Sequence, residues 1–507
     1  MVSFTDTPLN WKVPLLTIEV DPSQAGTPTF PQFMLIPDYK LAAGTAPASV
    51  PVSPGNVNAA KAMFGDGSPL ARAFEAAFRI NKSVPIVCLP VAEPGAGVAA
   101  TGTITLASAP SAAGTAYLYI AGQRVSVGIS ASDTTAQVAT KIAAAITAVT
   151  TLPVTAAAAT NVVTLTAKWK GITGNDIRVE DSVLGVNGGE VLPAGLALTY
   201  PANNVLAGGT GVPDWTAAIA ALQDEAYDFV ALAHTDTGSL GAWATEYGFS
   251  ASGRWGWLRQ TYGSVFSARR DTYANQVSWG AALNHPVISV LDVEVRSPTP
   301  IWEWAAAYTA RAATAFAADP ARPLQTLALT GVMPAPKGAR RSKTEMNGLA
   351  QSGIAIQATN ADGTPAIMRE QTLYQRNSLG QPDNAYELAT TLHTLAAIFR
   401  RLQQAITNRY PRHKLANDGT RFGPGQAIVT PKIIKAELIA VARIMEYDGL
   451  MESLAAFKAA LIVERANDNP NRVNVLYPPD LINQLRHLAV LAQFRLQYST
   501  LDEAAAA

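Results

Sequence analysis

PLARAFEAAFRINKSVPIVCL, residues 69–89, decides how the chain begins to fold. Its first part, residues 69–80, spaces apolar side chains at intervals of three and four, which predicts a helix. Residues 84–89 are apolar throughout and predict a buried strand. A helix running into such a strand opens an α/β core. Working outward, residues 56–64 predict another helix, and residues 33–36 form a second apolar run between Pro31 and Pro37, inside a proline-rich stretch from residue 23 to 54. Still earlier, Val13, Leu15 or Leu16, Ile18 and Val20 alternate until Asp21-Pro22 stops the pattern. This is one isolated strand, whose pairing partner cannot be local.

Downstream, composition shifts at Pro94-Gly95-Ala96-Gly97. Ala, Gly, Ser, Thr and Val dominate to about Tyr200, which is read as an inserted domain of short strands over 101–107, 116–120, 123–129 and 162–167, with a helix over 133–149 capped by Ser132 or Asp133. Gly122 and Gly128 suit turns or bulges. β-branched alternation argues against the other reading, a low-complexity linker. After the Gly208-Gly209-Thr210-Gly211 turn the α/β alternation resumes, with helices over 214–223, 240–247 and 301–317 and strands over 227–233, 261–267 and 287–291. A further change at 334–343 precedes strands over 353–358 and 366–372 and helices over 384–408 and 431–445, the latter with Thr430 as cap and Gly449 past its end. Residues 459–465 and 472–476 flank the Asn467-Asp468-Asn469-Pro470 turn, and a final strand covers 491–498.

The expected fold class is therefore α/β and α+β multidomain: an α/β core with an inserted small β-rich domain and extended terminal β-strand arms. The boundaries are 1–55 for the N-terminal arm and linker, 56–94 for the start of the core, 95–205 for the insert and 206–333 for the rest of the core. A C-terminal α+β domain follows over 334–480, then an arm over 481–507.

Composition narrows function. Lys plus Arg and Asp plus Glu each total 38 in 507 residues, so no global field draws the chain to nucleic acid or to a membrane surface, and zero net charge tolerates self-association. The single cysteine, Cys88, lies in an apolar run, which predicts an inert buried thiol and folding in a reducing compartment. No signal-peptide pattern and no membrane span is expected. Asn81-Lys82-Ser83 matches a glycosylation triplet by chance.

The five histidines, His234, His285, His393, His413 and His487, show no metal-ligand spacing, so no metal and no cofactor is expected. The run from Ala233 to Ser239 holds the residue types of a serine-hydrolase triad, but such triads converge from separate loops and no G-x-S-x-G elbow is present. Neither Gly65-Asp66-Gly67-Ser68 nor Gly208 to Gly211 completes a nucleotide fingerprint. One dense basic run, Lys337 to Lys343, is read as a solvated loop by default, with Arg340, Arg341 and Lys343 as candidates for contact with an acidic partner.

Four ordered stretches then carry a resemblance. Val13-Pro14-Leu15-Leu16-Thr17-Ile18-Glu19-Val20-Asp21-Pro22 and its continuation to Gly26 resemble the opening strand of the sheath proteins of Mu-like phages. Thr164 to Ile177 is similar to the end of their inserted domain, Gln371 to Asn377 with Gly380 and Asp383 to the start of their C-terminal domain, and Arg472 to Arg486 with Ala492 to Gln497 to their ending. The resemblance implies a non-enzymatic subunit of hexameric rings stacked helically around a tail tube, with tube, baseplate and tail terminator proteins as partners. It also implies a virion tail location, assembly in the host cytoplasm, and contraction that drives the tube through the host envelope. A sheath-like component of a cellular contractile injection system fits the same residues. Contraction without a nucleotide site requires energy stored at assembly. Terminal strands that add to neighbouring sheets would keep subunits linked, through Val13, Leu15, Leu16, Ile18 and Val20 at one end and Leu491, Phe494, Leu496 and Tyr498 at the other. Arg340, Arg341 and Lys343 are then candidates for contact with the tube or an adjacent subunit.

Overall fold

The computed structural model describes residues 32–494 and residue 496. The expected N-terminal strand, with Val13, Leu15, Leu16, Ile18 and Val20, and also Tyr498, lie outside the described residues.

Strand β1 (Phe33–Tyr39) runs through Pro37. A proline lacks the donor that a central strand needs. Here β1 pairs with a neighbour on one side only as far as Leu35, while pairing on the other continues to Tyr39, so Pro37 falls where one side has already let go. Helix α1 (Val57–Phe64) starts where the Asn56 side chain accepts the Ala59 N–H, and α2 (Pro69–Ile80) where Ser68 accepts that of Ala71 with Pro69 in the first turn. Strand β2 (Ile86–Val91) follows, fully buried, with Cys88 inside it.

The chain then leaves this sheet. Strand β3 (Ala99–Ser108) precedes the hairpin of β4 (Gly114–Ile120) and β5 (Gln123–Ile129), which turns at Ala121 and Gly122, both at positive φ. Helix α3 (Thr135–Ala148) is capped by Thr134, not by Ser132 or Asp133, because Thr134 and Gln137 satisfy each other's backbone in a capping box while Asp133 turns to Lys141. Strands β6 (Val154–Ala159) and β7 (Val162–Lys170) form a second hairpin. The sequence of β6, VTAAAA, has little strand propensity of its own; pairing with β7 makes it a strand. After β8 (Val179–Asp181) and β9 (Ala197–Thr199), two small sheets are complete, ordered β6-β7-β3-β9 and β5-β4-β8.

Helix α4 (Thr216–Ala220) is shorter than the spacing predicts and leads back to the first sheet through β10 (Tyr227–Leu232). There follow α5 (Thr237–Glu246), β11 (Ser264–Asp271), α6 (Tyr273–Ala281), which the sequence reading omitted, and β12 (Ile288–Glu294). The five strands pair in parallel in the order β12-β11-β10-β1-β2. Both faces of β2, β10 and β12 are buried; β2 is apolar throughout, whereas β10 carries the buried Asp228 and β12 the buried Ser289, Asp292 and Glu294.

Helix α7 (Ile301–Ala318) packs on α2 and on this sheet. Its N-terminus has no cap from its own Pro300; the Ile301 N–H donates instead to Asp176, from the stretch between β7 and β8, at 2.7 Å. The same stretch sends Arg178 to the Val295 carbonyl at 3.0 Å and pairs Asp176 with Arg270 at 3.3 Å, and Trp169 of β7 packs on Trp302. The two small sheets and the parallel sheet consequently share one continuous apolar core.

Helix α8 (Lys343–Gln351) begins inside the basic run, where Ser342 and Glu345 form a second capping box. Strands β13 (Ile356–Thr359) and β14 (Pro365–Arg369) form a hairpin beside β12, with Ala355 bridging Leu291. The long helix α9 (Ala389–Arg409) starts five residues later than residue 384, since the preceding segment is held by a Gln371–Leu388 bridge and by the Thr372 N–H donating to the Glu387 carbonyl. Its first half belongs to the first core, with His393 stacked against Phe229 and Phe316; Ile398 belongs to a second core built with α10 (Pro431–Tyr447). Thr430 precedes α10 without a side-chain capping bond; Asp418 accepts the Lys432 N–H in its place, at 3.0 Å. Of the C-terminal domain expected over 334–480, the part over 349–392 buries Leu349, Ile354, Ile367 and Leu392 with the parallel sheet, and the second core begins within α9.

Candidate functional site

The C-terminal tail is built up from its last backbone anchor. Asp480–Leu481 pairs antiparallel with Met451–Glu452, the Ile482 N–H donates to the Leu450 carbonyl at 3.4 Å, and the Asn483 amide donates to Glu452. Arg486 then reaches into the body and pairs with the buried Glu370. Beyond it the apolar side chains face solvent: Leu488, Val490, Leu491 at 86% exposure, Phe494 at 86% and Leu496 at 97%. Residues 491–494 form no strand in the single subunit. A soluble protein seldom leaves such a run uncovered unless it meets a partner.

The hairpin of Ile462–Arg465 and Val473–Leu476 is a two-stranded sheet with no third strand among the described residues, and Ile462, Val475 and Leu476 on it are exposed. Its backbone can accept an added strand. Both strands and their turn are legible in the sequence, but their open edges are not, because a strand's neighbours are a tertiary matter. Leu485, Leu488 and Val490 lie in the arm expected over 481–507 but were not among its named contact residues.

The three basic candidates do not share one surface. Arg341 turns inward: its Nε donates to Asp292 Oδ2 at 2.9 Å, its Nη2 to Oδ1 at 3.0 Å and to the Asp271 carbonyl at 2.7 Å. Burial raises the Asp292 carboxyl pKa, against the pull of Arg341. Arg340 donates to the Ala335 carbonyl at 2.9 Å and lines a cleft of about 440 Å³ that also involves Leu184, Met333 and Asp362. Lys343, the first residue of α8, is exposed.

The triad-like residues have structural duties. His234 Nε2 lies 3.2 Å from Asp38 Oδ1, edge-on to the rings of Tyr39 and Trp215. Asp236 caps α5 by accepting the Ser239 N–H, and the Ser239 hydroxyl accepts the Trp215 indole N–H at 2.8 Å. Among the described residues no cluster of three or more His, Cys, Asp or Glu is placed to hold a metal ion, and no helix is long and apolar enough to cross a membrane.

Comparison with known proteins settles what kind of chain this is. The model of the phage tail sheath central domain matches residues 208–373, and that of the phage tail sheath C-terminal domain matches residues 381–495. The Mu-like prophage FluMu tail sheath protein of Haemophilus influenzae is 37% identical over 497 residues, covering 98% of this chain and 100% of that protein. The chain belongs to the phage tail sheath family. Among solved structures, this tail sheath chain is similar to the sheath tail protein of Desulfitobacterium hafniense at 12% identity, covering 93% of this chain and 97% of the other, with a TM-score of 0.47. A sheath tail protein of Listeria innocua is similar at 11% identity, over 91% and 94% of the two chains, with a TM-score of 0.46. The family is structural, and its two matched domains cover the α/β body from residue 208 and the tail up to residue 495. Glu370 lies in the first matched stretch and Arg486 in the second.

Proposed function

We propose that this sheath subunit polymerises as hexameric rings stacked around a tail tube, and contracts to drive the tube through the host envelope. The observation that carries the reading is the set of exposed apolar side chains Leu488, Val490, Leu491, Phe494 and Leu496, which have no strand partner among the described residues. Its reading as an arm matches the open hairpin at Ile462–Leu476: one copy offers a strand, and another offers an edge. Residues 13–20, with Val13, Leu15, Leu16, Ile18 and Val20, supply the second arm in the same scheme. Backbone pairing suits a contracting lattice, since it holds subunits together while the connecting segments bend.

In this scheme the region between β2 and β10 is an inserted domain, and Arg340 and Lys343, rather than the inward-facing Arg341, are the basic side chains available to the tube or an adjacent subunit. Baseplate and terminator proteins cap the polymer, assembly takes place in the host cytoplasm, and the product is part of the virion tail. The subunit performs no catalysis; the energy of contraction is stored in the extended packing.

Electron microscopy of the purified protein with tube protein tests the scheme, with hollow helical polymers expected. Removal of residues 1–20 is expected to leave a folded, soluble subunit that does not extend a sheath. Normal polymer from that truncation would show that the N-terminal arm is not a link.

A further inference from the structure

Beyond Ile482 the tail makes no further backbone hydrogen bond among the described residues, and the exposed Leu485 and Leu488 flank Arg486 on either side. Arg486 turns inward, its side chain 14% exposed. Its Nη1 donates to Glu370 Oε2 at 2.9 Å, its Nη2 donates to Oε1, and the Thr390 hydroxyl donates to that same Oε1. Glu370 is fully buried, one residue past the end of β14, and Thr390 sits in the first turn of α9. The paired fork has a fixed orientation, because a planar guanidinium meets both carboxylate oxygens in one plane only. A carboxylate taken out of water without a cation is strongly disfavoured, so this part of the body is complete only when the tail lies across it.

We propose that Arg486 and Glu370 form a latch that sets where and in which direction the C-terminal arm leaves the subunit, so that the arm proper begins at His487. The inference rests on the arm reading above and deepens it. A free tail anchored only at Ile482 would sweep a wide volume, and the chance of meeting a neighbour's hairpin edge would fall with that freedom. The latch removes this freedom before assembly. Arg486 and Glu370 are positioning residues: neither belongs to the exposed run offered to the neighbour.

The test uses the full chain carrying Leu488→Cys with a nitroxide label; the one native cysteine, Cys88, is buried. Arg486→Gln and Glu370→Gln are each expected to keep the far-UV circular dichroism spectrum, to shorten the label's rotational correlation time severalfold, and to reduce polymer yield seen by electron microscopy. Arg486→Lys, which keeps the charge but loses the fork, is expected to fall between wild type and Gln. Label mobility unchanged in the folded Glu370→Gln variant overturns the latch even if Arg486→Gln misfolds. Removal of residues 487–507 separates the two ideas. If that truncation blocks polymerisation while both Gln variants polymerise at wild-type yield, the latch is wrong and the arm reading stands. If the truncated chain polymerises normally, the arm reading fails, and the latch with it as a determinant of assembly.

Discussion

Trp169 and Trp302 meet edge to face, ring centroids 5.3 Å apart at 85°, and this contact joins the small sheets to the helix that covers the parallel sheet. Both indoles are essentially fully buried. Together with Asp176, which caps α7 and pairs with Arg270, they make the two regions energetically dependent although each has its own sheets.

Trp302→Ala is expected to cost about 3–5 kcal/mol, the usual penalty for truncating a buried aromatic. Asp176→Ala is expected to cost on the order of 3 kcal/mol, through a lost cap and a stranded Arg270. Excision of residues 97–200 with a short linker removes both contacts at once, so the parallel sheet is expected to survive with a lowered melting temperature. Urea unfolding and calorimetry of the three variants check this; an excised chain as stable as wild type would show that the contacts contribute nothing.

Asp228 of β10 pairs with Arg400 of α9 at 2.6 Å and binds the first core to the helix that leads into the second. Burial raises the Asp228 carboxyl to about 6, against the opposing charges of Arg400 and Arg254. Because the folded value lies above the unfolded one, near 3.8, the share of stability from this group is complete below about pH 4 and is lost as pH rises through about 6. Asp228→Asn is expected to remove this dependence, read as a flatter plot of unfolding free energy between pH 4 and 7. An unchanged slope would place the titration elsewhere.

Arg341 and Lys343 stand two residues apart and are expected to respond oppositely to charge reversal. Arg341→Glu sets a carboxylate against the buried Asp292 and is expected to cost about 3–5 kcal/mol or prevent folding. Lys343→Glu is expected to stay within about 0.5 kcal/mol, and Arg340→Glu with Lys343→Glu to weaken assembly in a salt-dependent way. Polymerisation of that pair at wild-type yield across a salt series would remove the surface role of both residues.

Leu491→Glu with Phe494→Glu is expected to leave the subunit's melting temperature unchanged, since neither side chain is packed on its own subunit. The same variant is expected to lose polymer. Wild-type polymer from it would assign the exposed run no part in assembly.

The sequence alone determined the elements whose patterns are local. Helix α2 has the predicted limits, residues 69–80, because Ser68, Pro69 and the apolar spacing act within one segment. Strand β10 and the first half of β12 were legible as mainly apolar stretches, and the ordered stretches identified the family without any structure. The second capping box, at Ser342 and Glu345, was equally visible and went unread. Only the tertiary structure decided matters that depend on what lies beside a residue. VTAAAA at 154–159 is a strand because β7 pairs with it, Pro37 is tolerated because one neighbour ends at Leu35, and α7 is capped by an aspartate more than a hundred residues away. Arg341 looked like part of a solvated basic run until Asp292 was found under it, and Arg486 like one more tail residue until it met Glu370. Spacing along a chain reports which face a side chain takes, whereas the cost of burying a charge is settled by its partner in space.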